Sequence, residues 1–447
     1  MSTPAEQRSA AVIVGLGRTG YSCAAYLHAR GWRLAITDTR TNPPELARLK
    51  ALDPSITLRL GGLDPGLLTD ARLVIASPGV ALSDPFFEAA RRRGLAVAGD
   101  IELFARAVDA PVAGITGTNG KSTVTTLVGR MASRAGVRVR VGGNLGEPAL
   151  DLLERSRTEG PAALYVLELS SFQLEATESL HLAAAAVLNV SPDHLDRYAS
   201  VADYAAAKAR IFTRCDTAVI NLDDPLVAAM PRAGQRVLSF SLTAPLAADY
   251  AVAEGWLTHR GRQLLALSKL KIKGLHNAAN ALAALAIGDA LDLPHPAMLE
   301  ELMSFPGLPH RSQWVADIRG ITYVDDSKGT NVGATLAAVA GMPGPLVMIA
   351  GGDGKQQDFA PLREAFRHKV RHTVLIGRDA PHIARVLQGV CTLEHCGTLE
   401  EAVAAAARAA LPGDTVLLSP ACASLDMFRD YAHRGAVFSQ AVRGLAA

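Results

Sequence analysis

Residues 114–123 read GITGTNGKST, and no other stretch restricts the fold of this chain as strongly. The apolar run at residues 111–115 predicts a buried strand, and a helix is predicted from Lys121 to about Met131. Between them lies a glycine-rich turn, whose backbone N–H groups can surround a phosphate while the helix N-terminus adds positive potential. A strand, a phosphate loop and a helix in this order predict a parallel α/β sheet with a site for a nucleoside triphosphate.

The spacing of this loop departs from the standard phosphate-loop pattern. That pattern places a glycine five residues before the Gly-Lys pair, where this chain has Ile115. Gly114 lies one residue too early, and Gly117 lies inside the loop. The run Gly-Lys-Ser-Thr after an apolar strand still favours a phosphate site over an ordinary turn, with Lys121 reaching the outer phosphates and Ser122 binding magnesium.

The composition excludes several classes of protein. A chain of 447 residues that is 49% hydrophobic can form two to four domains with large cores. A net charge of +2 offers no argument for nucleic acid, and we expect neither a nucleic-acid nor a membrane partner. The uncharged stretch 329–352 is long enough to cross a bilayer, but its glycines and prolines predict a helix, a turn and a buried strand. Five scattered cysteines and a polar N-terminus predict a cytoplasmic protein with reduced thiols.

Strands alternate with helices in three successive segments, which predicts an α/β fold of three domains, each built on a mainly parallel sheet. We expect a Rossmann-like N-terminal domain at residues 1–99, a P-loop ATPase-like central domain at 100–306 and a Rossmann-like C-terminal domain at 307–447. Residues 235–274 predict antiparallel strands, and the alanine-rich stretch 277–290 predicts a helix. The other main predicted strands span residues 10–14, 33–37, 73–76, 163–169, 184–190, 217–221, 346–350, 373–377 and 415–419.

The first segment carries a dinucleotide-type fingerprint. Gly15, Gly17 and Gly20 match G-x-G-x-x-G, and Asp38 ends the next predicted strand. The same geometry binds any pyrophosphate at a helix N-terminus, and the acid can hold a ribose or a base. Arg40 supplies another polar group nearby. The fingerprint alone therefore leaves NAD and a nucleotide sugar as alternatives.

Two charged residues of the second segment have both a functional and an ordinary interpretation. Glu168 ends an apolar strand, where ligands gather in parallel sheets, and a carboxylate there is costly unless it is paired or bound to a metal. The alternative is a glutamate that faces solvent. Lys208 lies in a helix among alanines, which would let it point inward, whereas a solvated lysine is the default.

His194 lies in the run SPDHLDRY, which directly follows the next predicted strand. Ser191 has the features of a helix N-cap, and Pro192 suits the first helical position. We therefore predict that His194 lies in the first turn of a helix, where the positive helix end disfavours its protonation and keeps a ring nitrogen available for a metal. A metal or catalytic role and a purely structural role remain alternatives.

The remaining polar clusters predict a nucleotide-base site and a pocket for a small acid. Asn277 and Asn280 lie on one helix face, where their amides suit a purine edge or serve as caps. Residues 325–331, 351–359 and 419–428 each follow an apolar strand and should meet at one sheet edge. Together they offer lysines, hydroxyls and glycines, which is the composition expected of a pocket for a small acid.

These motifs occur in an order that resembles the Mur ligases over essentially the whole chain. The matching runs are GTNGKST, ELSSFQL, NVSPDHLDRY, AAKARIF, HNAANAL, LPHR, DDSKGTN, GGDGK and LLSPACASLDMF. GTNGKST is common to all Mur ligases and to folylpolyglutamate synthases, whereas SPACASLDMF and the GLGRTG…DTR pair resemble the branch that adds D-glutamate. The resemblance implies a monomeric cytoplasmic enzyme that joins D-glutamate to UDP-N-acetylmuramoyl-L-alanine through an acyl phosphate, with ATP, two Mg²⁺ sites and a carbamate on Lys208.

The resemblance also implies roles for individual residues. The implied catalytic residues are Lys121, Glu168, His194, Lys208 and Lys328. The implied ATP contacts are Gly117, Thr118, Asn119, Gly120, Lys121, Ser122, Thr123, Asn277, Asn280, Arg311 and Asp326. The implied contacts of the UDP substrate are Arg18, Thr19, Asp38, Thr39, Arg40, Ser77, Gly79, Asn144 and Ser170. The implied amino-acid contacts are Thr330, Lys355, Ser424 and Tyr431, and the implied metal ligands are Ser122, Glu168, His194 and Lys208.

Two positions depart from the family pattern, and three other functions remain as alternatives. Tyr431 stands where the pattern has phenylalanine, and Leu275 stands where arginine is frequent. An NAD-dependent dehydrogenase would leave GTNGKST without a role, and an idle nucleotide-sugar sensor should lack the set Lys121, Glu168, His194 and Lys208. A sibling ligase, or a variant that takes L-glutamate, is the nearest alternative.

Overall fold

The computed structural model describes residues 10–195, 197–272, 274–342 and 344–445. Strands and helices alternate along most of the chain, as predicted. The strands are β1 Ala10–Val14, β2 Arg33–Asp38, β3 Thr57–Leu60, β4 Leu73–Ala76, β5 Ala96–Ala98, β6 Val112–Thr116, β7 Val139–Gly143, β8 Leu164–Glu168, β9 Leu182–Val187, β10 Cys215–Asn221, β11 Arg236–Ser241, β12 Tyr250–Ala253, β13 Trp256–His259, β14 Arg262–Ala266, β15 Gln313–Ile318, β16 Ile321–Asp325, β17 Leu346–Gly351, β18 Val370–Ile376, β19 Thr392–His395 and β20 Thr415–Leu418. The helices are α1 Arg18–His28, α2 Leu46–Leu52, α3 Pro85–Arg92, α4 Asp100–Ala105, α5 Lys121–Arg134, α6 Ala149–Glu159, α7 Ser171–Glu175, α8 Val201–Ala209, α9 Pro225–Ala228, α10 Leu275–Ala290, α11 His295–Ser304, α12 Val332–Gly341, α13 Pro361–Phe366, α14 Ala380–Leu387, α15 Leu399–Ala409 and α16 Tyr431–Gly444.

The described residues form two compact units. The first contains residues 10–190, 194–240 and 283–298, and the second contains most of the remainder. Each unit is built on parallel-dominated sheets whose central strands are almost wholly buried, which agrees with the predicted α/β class. Within the described residues, no helix is both long enough and apolar enough to cross a bilayer.

The first unit holds two parallel sheets. One has the strand order β3-β2-β1-β4-β5, with every neighbouring pair parallel. In the other, β11, β10, β9, β6, β8 and β7 follow one another, and all of these pairs are parallel. Because β6, β8 and β9 are adjacent and parallel, their carboxyl ends bring the phosphate loop, Glu168 and Asn189 to one edge of the sheet.

The second unit contains an antiparallel meander and a further sheet. β12, β13 and β14 pair antiparallel, as predicted for this region. β11, which also falls in the region predicted to be antiparallel, instead runs parallel to β10, because the chain returns through α9 and extends the parallel sheet. The other sheet has the order β15-β16-β20-β17-β18-β19, and only the β15–β16 pair is antiparallel.

The helix predicted to begin at Ser191 does not form, so the placement of His194 in a helical first turn was wrong. His194 has a left-handed backbone, with φ of +54°, which a right-handed helix does not tolerate. The carbonyl of His194 accepts hydrogen bonds from the N–H groups of Arg197 and Tyr198, so a single turn follows the histidine. The next helix begins only at Val201, and Ser200 is its N-cap.

Candidate functional site

The phosphate loop consists of residues 117–120, between β6 and α5. Gly114, the glycine that comes too early for the standard spacing, lies inside β6, where a Cβ atom would come within 2.8 Å of Leu182 Cδ1. Its role is therefore close packing in the sheet. Gly117 and Gly120 have φ of +147° and +83°, a backbone that other residues rarely adopt. The spacing between Gly114 and the Gly-Lys pair is therefore unusual because Gly114 packs within β6 and the phosphate loop itself is short.

Asn189, which follows β9, holds this loop in place. Its carbonyl accepts from the N–H of Thr118 at 2.9 Å, and its Oδ1 accepts from the N–H of Asn119 at 2.8 Å. Its Nδ2 donates to the carbonyl of Asn119 at 3.1 Å. Sequence reasoning did not include Asn189 in the site. The available clue was an amide at the carboxyl end of the strand next to the phosphate loop.

Lys121 folds back over the loop that precedes it. Its Nζ donates to the carbonyls of Gly117 at 2.9 Å and Thr118 at 3.0 Å. Lys121 is also the first residue of α5, a helix of 14 residues whose N-terminus carries positive potential. The ammonium group and the helix end therefore concentrate positive charge where β6 ends, as a polyphosphate requires.

Glu168 lies in a hydrogen-bonded cluster at the end of β8. Ser122 Oγ donates to its Oε2 at 2.6 Å, and Asn144 Nδ2 donates to its Oε1 at 2.7 Å. Glu168 is 3% exposed, so the alternative of a solvent-facing glutamate is wrong. Gly143, directly before Asn144, allows the backbone of β7 to lie this close to Glu168, because a Cβ atom at Gly143 would come within 2.5 Å of the Glu168 carbonyl.

The chemistry of this cluster fits Mg²⁺. A carboxylate and a hydroxyl are hard oxygen donors, and Mg²⁺ in nucleotide sites uses one or two protein ligands together with phosphates and waters. Within the described residues, no group of three histidine, cysteine or acidic side chains is placed to hold a metal alone. An oxygen site completed by phosphate therefore fits better than an all-protein metal cage.

Lys208 points into the protein, so the alternative of a solvated lysine is wrong. It is 1% exposed, and its Nζ donates to the carbonyl of Gly117 at 2.9 Å. The same Nζ lies 4.3 Å from the centre of the Tyr204 ring. The His194 ring lies 6.1 Å from the Tyr204 ring and 4.9 Å from that of Phe172. The structure thus brings the predicted lysine and histidine close to the same tyrosine, and it brings the lysine to the phosphate loop.

The glycines of the first segment form a tight turn at the end of β1. A Cβ atom at Gly20 would come within 2.0 Å of the Gly15 carbonyl, so only glycine allows α1 to start there. The N–H of Leu16 donates to Asp38 Oδ2 at 2.7 Å, and Ser77 Oγ donates to the Gly15 carbonyl at 2.8 Å. Asp38 and Ser77 therefore organise the turn from the two neighbouring strands.

Asp38 is also paired with Arg40. Arg40 Nε donates to Asp38 Oδ1 at 2.9 Å, and Arg40 Nη2 donates to Asp38 Oδ2 at 2.7 Å. Burial by itself would raise the pKa of Asp38, but the hydrogen bonds from Arg40 and Leu16 outweigh it and lower that pKa. The carboxylate stays charged and orients Arg40 at the sheet edge. The other predicted contacts of this domain, Arg18, Thr19, Thr39 and Gly79, follow β1, β2 and β4 at the same edge.

Ser170 follows β8 and caps α7. Its Oγ accepts from the N–H of Gln173 at 3.2 Å, and the Gln173 Oε1 accepts from the N–H of Ser170 at 3.1 Å. Gln173 Nε2 donates to Asp100 Oδ2 at 2.9 Å. Burial raises the pKa of Asp100 to about 6. Asp100 was not singled out from the sequence, because its burial depends on packing between α4 and α7.

Three of the four predicted nucleotide contacts of the second unit, Asn277, Asn280 and Asp326, are buried. Asn280 Nδ2 donates to Asn277 Oδ1 at 3.2 Å, so these two amides bind one another. Asp326 accepts from Ser419 Oγ at 2.8 Å and from the N–H of Ser312 at 3.0 Å. Burial raises the pKa of Asp326 to about 6 despite these hydrogen bonds. Arg311 lies directly before Ser312, in the turn preceding β15.

The predicted amino-acid contacts lie in the loops after β16, β17 and β20 and, for Tyr431, at the first position of α16. Lys328 Nζ lies 3.9 Å from the centre of the Tyr431 ring, so these two are brought together. The loop after β17 joins the loop after β20 through backbone hydrogen bonds between Asp353 and Ala423, next to the buried Ser424. Thr330 lies in the loop after β16, two residues beyond Lys328.

Lys355 is exposed, and its backbone φ is +49°. It lines a cleft of about 720 Å³ together with Arg378, His382 and Arg385. Thr330, Ser424 and Tyr431 are not among the residues that line this cleft. The structure therefore does not place Lys355 in one cavity with the other predicted amino-acid contacts.

Sequence analysis also did not identify Arg434, in the first turn of α16. Its side chain is fully buried and is hydrogen-bonded to the loops after β16 and β20. Burial lowers the pKa of Arg434 to about 10, so the guanidinium stays charged at neutral pH. A buried arginine gives no periodic signal in the sequence.

Comparisons with known proteins extend over nearly the whole chain. Sequence profiles described as "Mur ligase MurD-like, N-terminal domain", "Mur ligase middle domain" and "Mur ligase, glutamate ligase domain" match residues 9–99, 115–288 and 310–422. A UDP-N-acetylmuramoylalanine–D-glutamate ligase of Nitrosococcus oceani is 50% identical over 97% of this chain and 96% of its own. A protein of the same name from Methylococcus capsulatus is 51% identical over 98% and 95%, respectively.

Solved structures share the fold at much lower identity. UDP-N-acetylmuramate-alanine ligase MurC from Thermotoga maritima has a TM-score of 0.61 at 20% identity and covers 97% of this chain and 99% of its own. A MurF ligase from the same organism, in complex with ADP, has a TM-score of 0.60 at 16% identity and covers 99% and 97%. At these identities the likeness supports the three-domain α/β architecture alone.

Proposed function

This chain belongs to the Mur ligase family, and we propose that its sites join D-glutamate to UDP-N-acetylmuramoyl-L-alanine while ATP is converted to ADP and phosphate. The chain is an ATP-dependent ligase of peptidoglycan precursor synthesis. The observation that carries the choice of substrates is the identity of about half of all residues, over nearly full length, to ligases with that name.

The reaction proceeds in two displacements. An oxygen of the alanine carboxylate attacks the γ-phosphorus of ATP, which forms an acyl phosphate and releases ADP. The amine of glutamate then attacks the acyl carbon, the amide bond forms, and inorganic phosphate leaves as the amine loses a proton. The first step brings a carboxylate and a polyphosphate together, so its main requirement is neutralisation and alignment of negative charge.

The phosphate loop meets this requirement with groups that are already in place. Lys121 and the N-terminus of α5 supply positive potential at one point. Asn189 holds Thr118 and Asn119, so the loop need not reorganise when the nucleotide binds. This arrangement supports the ATP contacts assigned to residues 117–123.

Two magnesium sites complete the proposal. Ser122 and Glu168 would hold one ion, because their oxygens already meet at 2.6 Å. His194 and Lys208 would support the other, provided that Lys208 reacts with carbon dioxide to form a carbamate, because an ammonium group repels a metal whereas a carbamate is an anion. The buried position of Lys208 beside the Gly117 carbonyl favours this modification over a surface role. When bound, Mg²⁺ would neutralise the phosphate oxygens and polarise the phosphorus.

The UDP substrate would bind along the carboxyl edges of the two sheets of the first unit. Arg18, Thr19, Asp38, Thr39, Arg40, Ser77 and Gly79 are assigned to the UDP moiety. The Asp38–Arg40 pair supports this, because it presents a fixed cation beside the glycine turn. Asn144 and Ser170 are assigned to the sugar–alanine part, since both lie next to Glu168 and would place the alanine carboxylate near the phosphate loop.

The second unit would supply the nucleotide-base and glutamate contacts. Asn277, Asn280, Arg311 and Asp326 are assigned to the nucleotide, and Lys328, Thr330, Lys355, Ser424 and Tyr431 to glutamate. The contact of Lys328 with Tyr431 supports a shared pocket for these two. The position of Lys355 in another cleft leaves its assignment dependent on the family resemblance.

We place domain boundaries near residues 99 and 306, which lie close to the limits of the matched profiles. We further propose that the enzyme acts as a monomer in the cytoplasm, where nucleotide-activated precursors and ATP are available.

Phosphate release from ATP tests the function directly. ADP and phosphate should appear only when UDP-N-acetylmuramoyl-L-alanine and D-glutamate are both present. Equal turnover with L-glutamate, or turnover with L-alanine and free UDP-muramic acid, would contradict the proposal. Calorimetric titration separates the two interpretations of the glycine fingerprint: the UDP substrate should bind and NAD should not.

A further inference from the structure

We infer that Arg434 is a positioning residue that sets the geometry of the glutamate pocket without contacting glutamate. The inference rests on the proposed function, because it assumes that Lys328 and Ser424 bind the incoming amino acid. It adds a residue to which neither the sequence motifs nor the family resemblance assigned a role.

The guanidinium of Arg434 is wholly enclosed by protein. The residue is 0% exposed, and among the described residues it has the largest of the fully buried side chains. Its Nε donates to Ser327 Oγ at 3.0 Å, and its Nη2 donates to the Ser327 carbonyl at 2.8 Å. Nη2 also donates to the carbonyl of Cys422 at 3.1 Å, and Nη1 donates to that of Ala423 at 3.4 Å. Because its donors are directed at protein oxygens, the side chain cannot reach a ligand.

The residues held by Arg434 directly precede the proposed glutamate contacts. Ser327 precedes Lys328 in the loop after β16, and Ala423 precedes Ser424 in the loop after β20. One rigid planar group therefore joins the backbones of two loops at the positions next to their functional side chains. This connection contributes to the separation of Lys328 and Ser424.

Tyr431 is tied to the same group. Ser327 Oγ, which accepts from Arg434 Nε, donates to the carbonyl of Tyr431 at 2.8 Å. The Tyr431 ring in turn lies 3.9 Å from Lys328 Nζ. A shift of the guanidinium would thus move a cation, a hydroxyl-bearing loop and the aromatic ring of the pocket together.

Arginine is the side chain that suits this position. Its planar fork offers five N–H donors at fixed angles, whereas lysine offers three donors on one nitrogen. The positive charge is compensated by the nearby carboxylates of Asp325, Asp326 and Asp426. A lysine would keep the charge but could not bind Ser327 and the Cys422–Ala423 segment in the same geometry.

The test is a set of variants measured by steady-state kinetics with one substrate varied at a time. Arg434→Lys should raise the KM for glutamate about 10-fold or more, and the KM values for ATP and for the UDP substrate should stay within about twofold. Ser327→Ala, which removes one acceptor and the link to Tyr431, should give a smaller change of the same kind. Arg443→Lys, an exposed change on the same helix, is the matched control and should change none of the three.

The outcomes separate this inference from the proposed function. If Ser424→Ala raises the glutamate KM and Arg434→Lys does not, the pocket is correctly placed and the positioning role is wrong. If neither variant changes the glutamate KM, the pocket assignment itself fails and this inference fails with it. An equal rise of all three KM values in Arg434→Lys would indicate a general folding defect and would also overturn the inference. Circular dichroism and thermal unfolding establish whether each variant is folded. If Arg434→Lys is not folded, the kinetics of Ser327→Ala provide the test.

Discussion

Ser122 Oγ donates a hydrogen bond of 2.6 Å to Glu168 Oε2, which joins the first turn of α5 to the end of β8. The other oxygen of the same carboxylate accepts from Asn144, which follows β7. The first turn of a helix and the ends of two adjacent strands thus meet at one buried carboxylate. A metal ion bound to Ser122 and Glu168 would sit directly beside the phosphates of a nucleotide in the loop.

Replacing this carboxylate tests its role. Glu168→Gln keeps the shape and the hydrogen bond from Ser122 but removes the charge that a magnesium ion needs. We expect kcat to fall on the order of 100-fold and the Mg²⁺ concentration for half-maximal activity to rise. Steady-state assays over a magnesium titration measure both. Glu88→Gln, an exposed glutamate of α3, is the control. A Glu168→Gln enzyme with unchanged magnesium dependence would show that the carboxylate is only structural.

Asn189 should matter for ATP more than for the other substrates. Asn189→Ala removes the side-chain bonds to Asn119, although the backbone bond to Thr118 remains. Because the loop loses part of its preorganisation, we expect kcat/KM for ATP to fall about 10- to 100-fold. Asn189→Asp retains only an acceptor and should be intermediate or worse. If kcat/KM for ATP does not change in Asn189→Ala, the side chain is not needed to hold the loop.

Lys208 provides the test of the carbamate. Lys208→Ala should nearly abolish ligation, because the second metal site loses its anionic ligand. A short carboxylic acid added to this variant should restore part of the rate, whereas Lys208→Arg should stay inactive because guanidinium does not take up carbon dioxide. The rates are followed by phosphate release. An active Lys208→Arg enzyme would mean that the lysine acts only as a cation that holds the Gly117 carbonyl.

Ser424 should select for glutamate. The residue is buried in the loop after β20, and a hydrogen bond from it to a charged carboxylate contributes roughly 1.5–3 kcal/mol. We expect Ser424→Ala to raise the KM for glutamate about 10- to 100-fold and to leave those for ATP and the UDP substrate nearly unchanged. Tyr431→Phe should be mild, since the ring beside Lys328 is retained. Equal increases in all three KM values after Ser424→Ala would place the pocket elsewhere.

The buried carboxyl of Asp100 predicts a pH dependence of stability. Its pKa is about 6 in the folded protein, against an ordinary value of 3.8. The folded state therefore holds the proton more tightly than the unfolded state, so its contribution to stability is greatest below about pH 4 and is lost as the pH rises through about 6. Two pKa units correspond to at most about 3 kcal/mol.

Asp100→Asn removes this titration while it keeps an oxygen that can accept from Gln173. The free energy of unfolding of the variant should therefore exceed that of the wild-type protein at pH 7, and the difference should shrink as the pH falls to 4. Urea denaturation at both pH values measures it. A difference independent of pH would show that Asp100 does not titrate in this range.

Local sequence patterns were sufficient to predict much of the architecture. The strands predicted at residues 10–14 and 73–76 match β1 and β4 residue for residue, because continuous apolar runs end there at glycine or proline turns. The parallel arrangement followed from alternation of strands and helices. The parallel arrangement also placed Glu168 and the phosphate loop at one sheet edge, since the carboxyl ends of parallel strands lie at the same edge.

Other features depend on contacts between residues far apart in the chain, and local patterns did not show them. The serine–proline pair at residues 191–192 has the features of a helix start, yet the left-handed backbone of His194 ends any helix there. Asn189 and Arg434 act through backbone groups that only the packed sheets bring within reach. The inward direction of Lys208 is likewise set by the position of the Gly117 carbonyl, 91 residues earlier. Residue types and their order therefore identified the family and its main chemical groups. Folding of the chain determined which polar groups hold the loops in place. The reason is that hydrogen-bond partners of that kind have no regular spacing in the sequence.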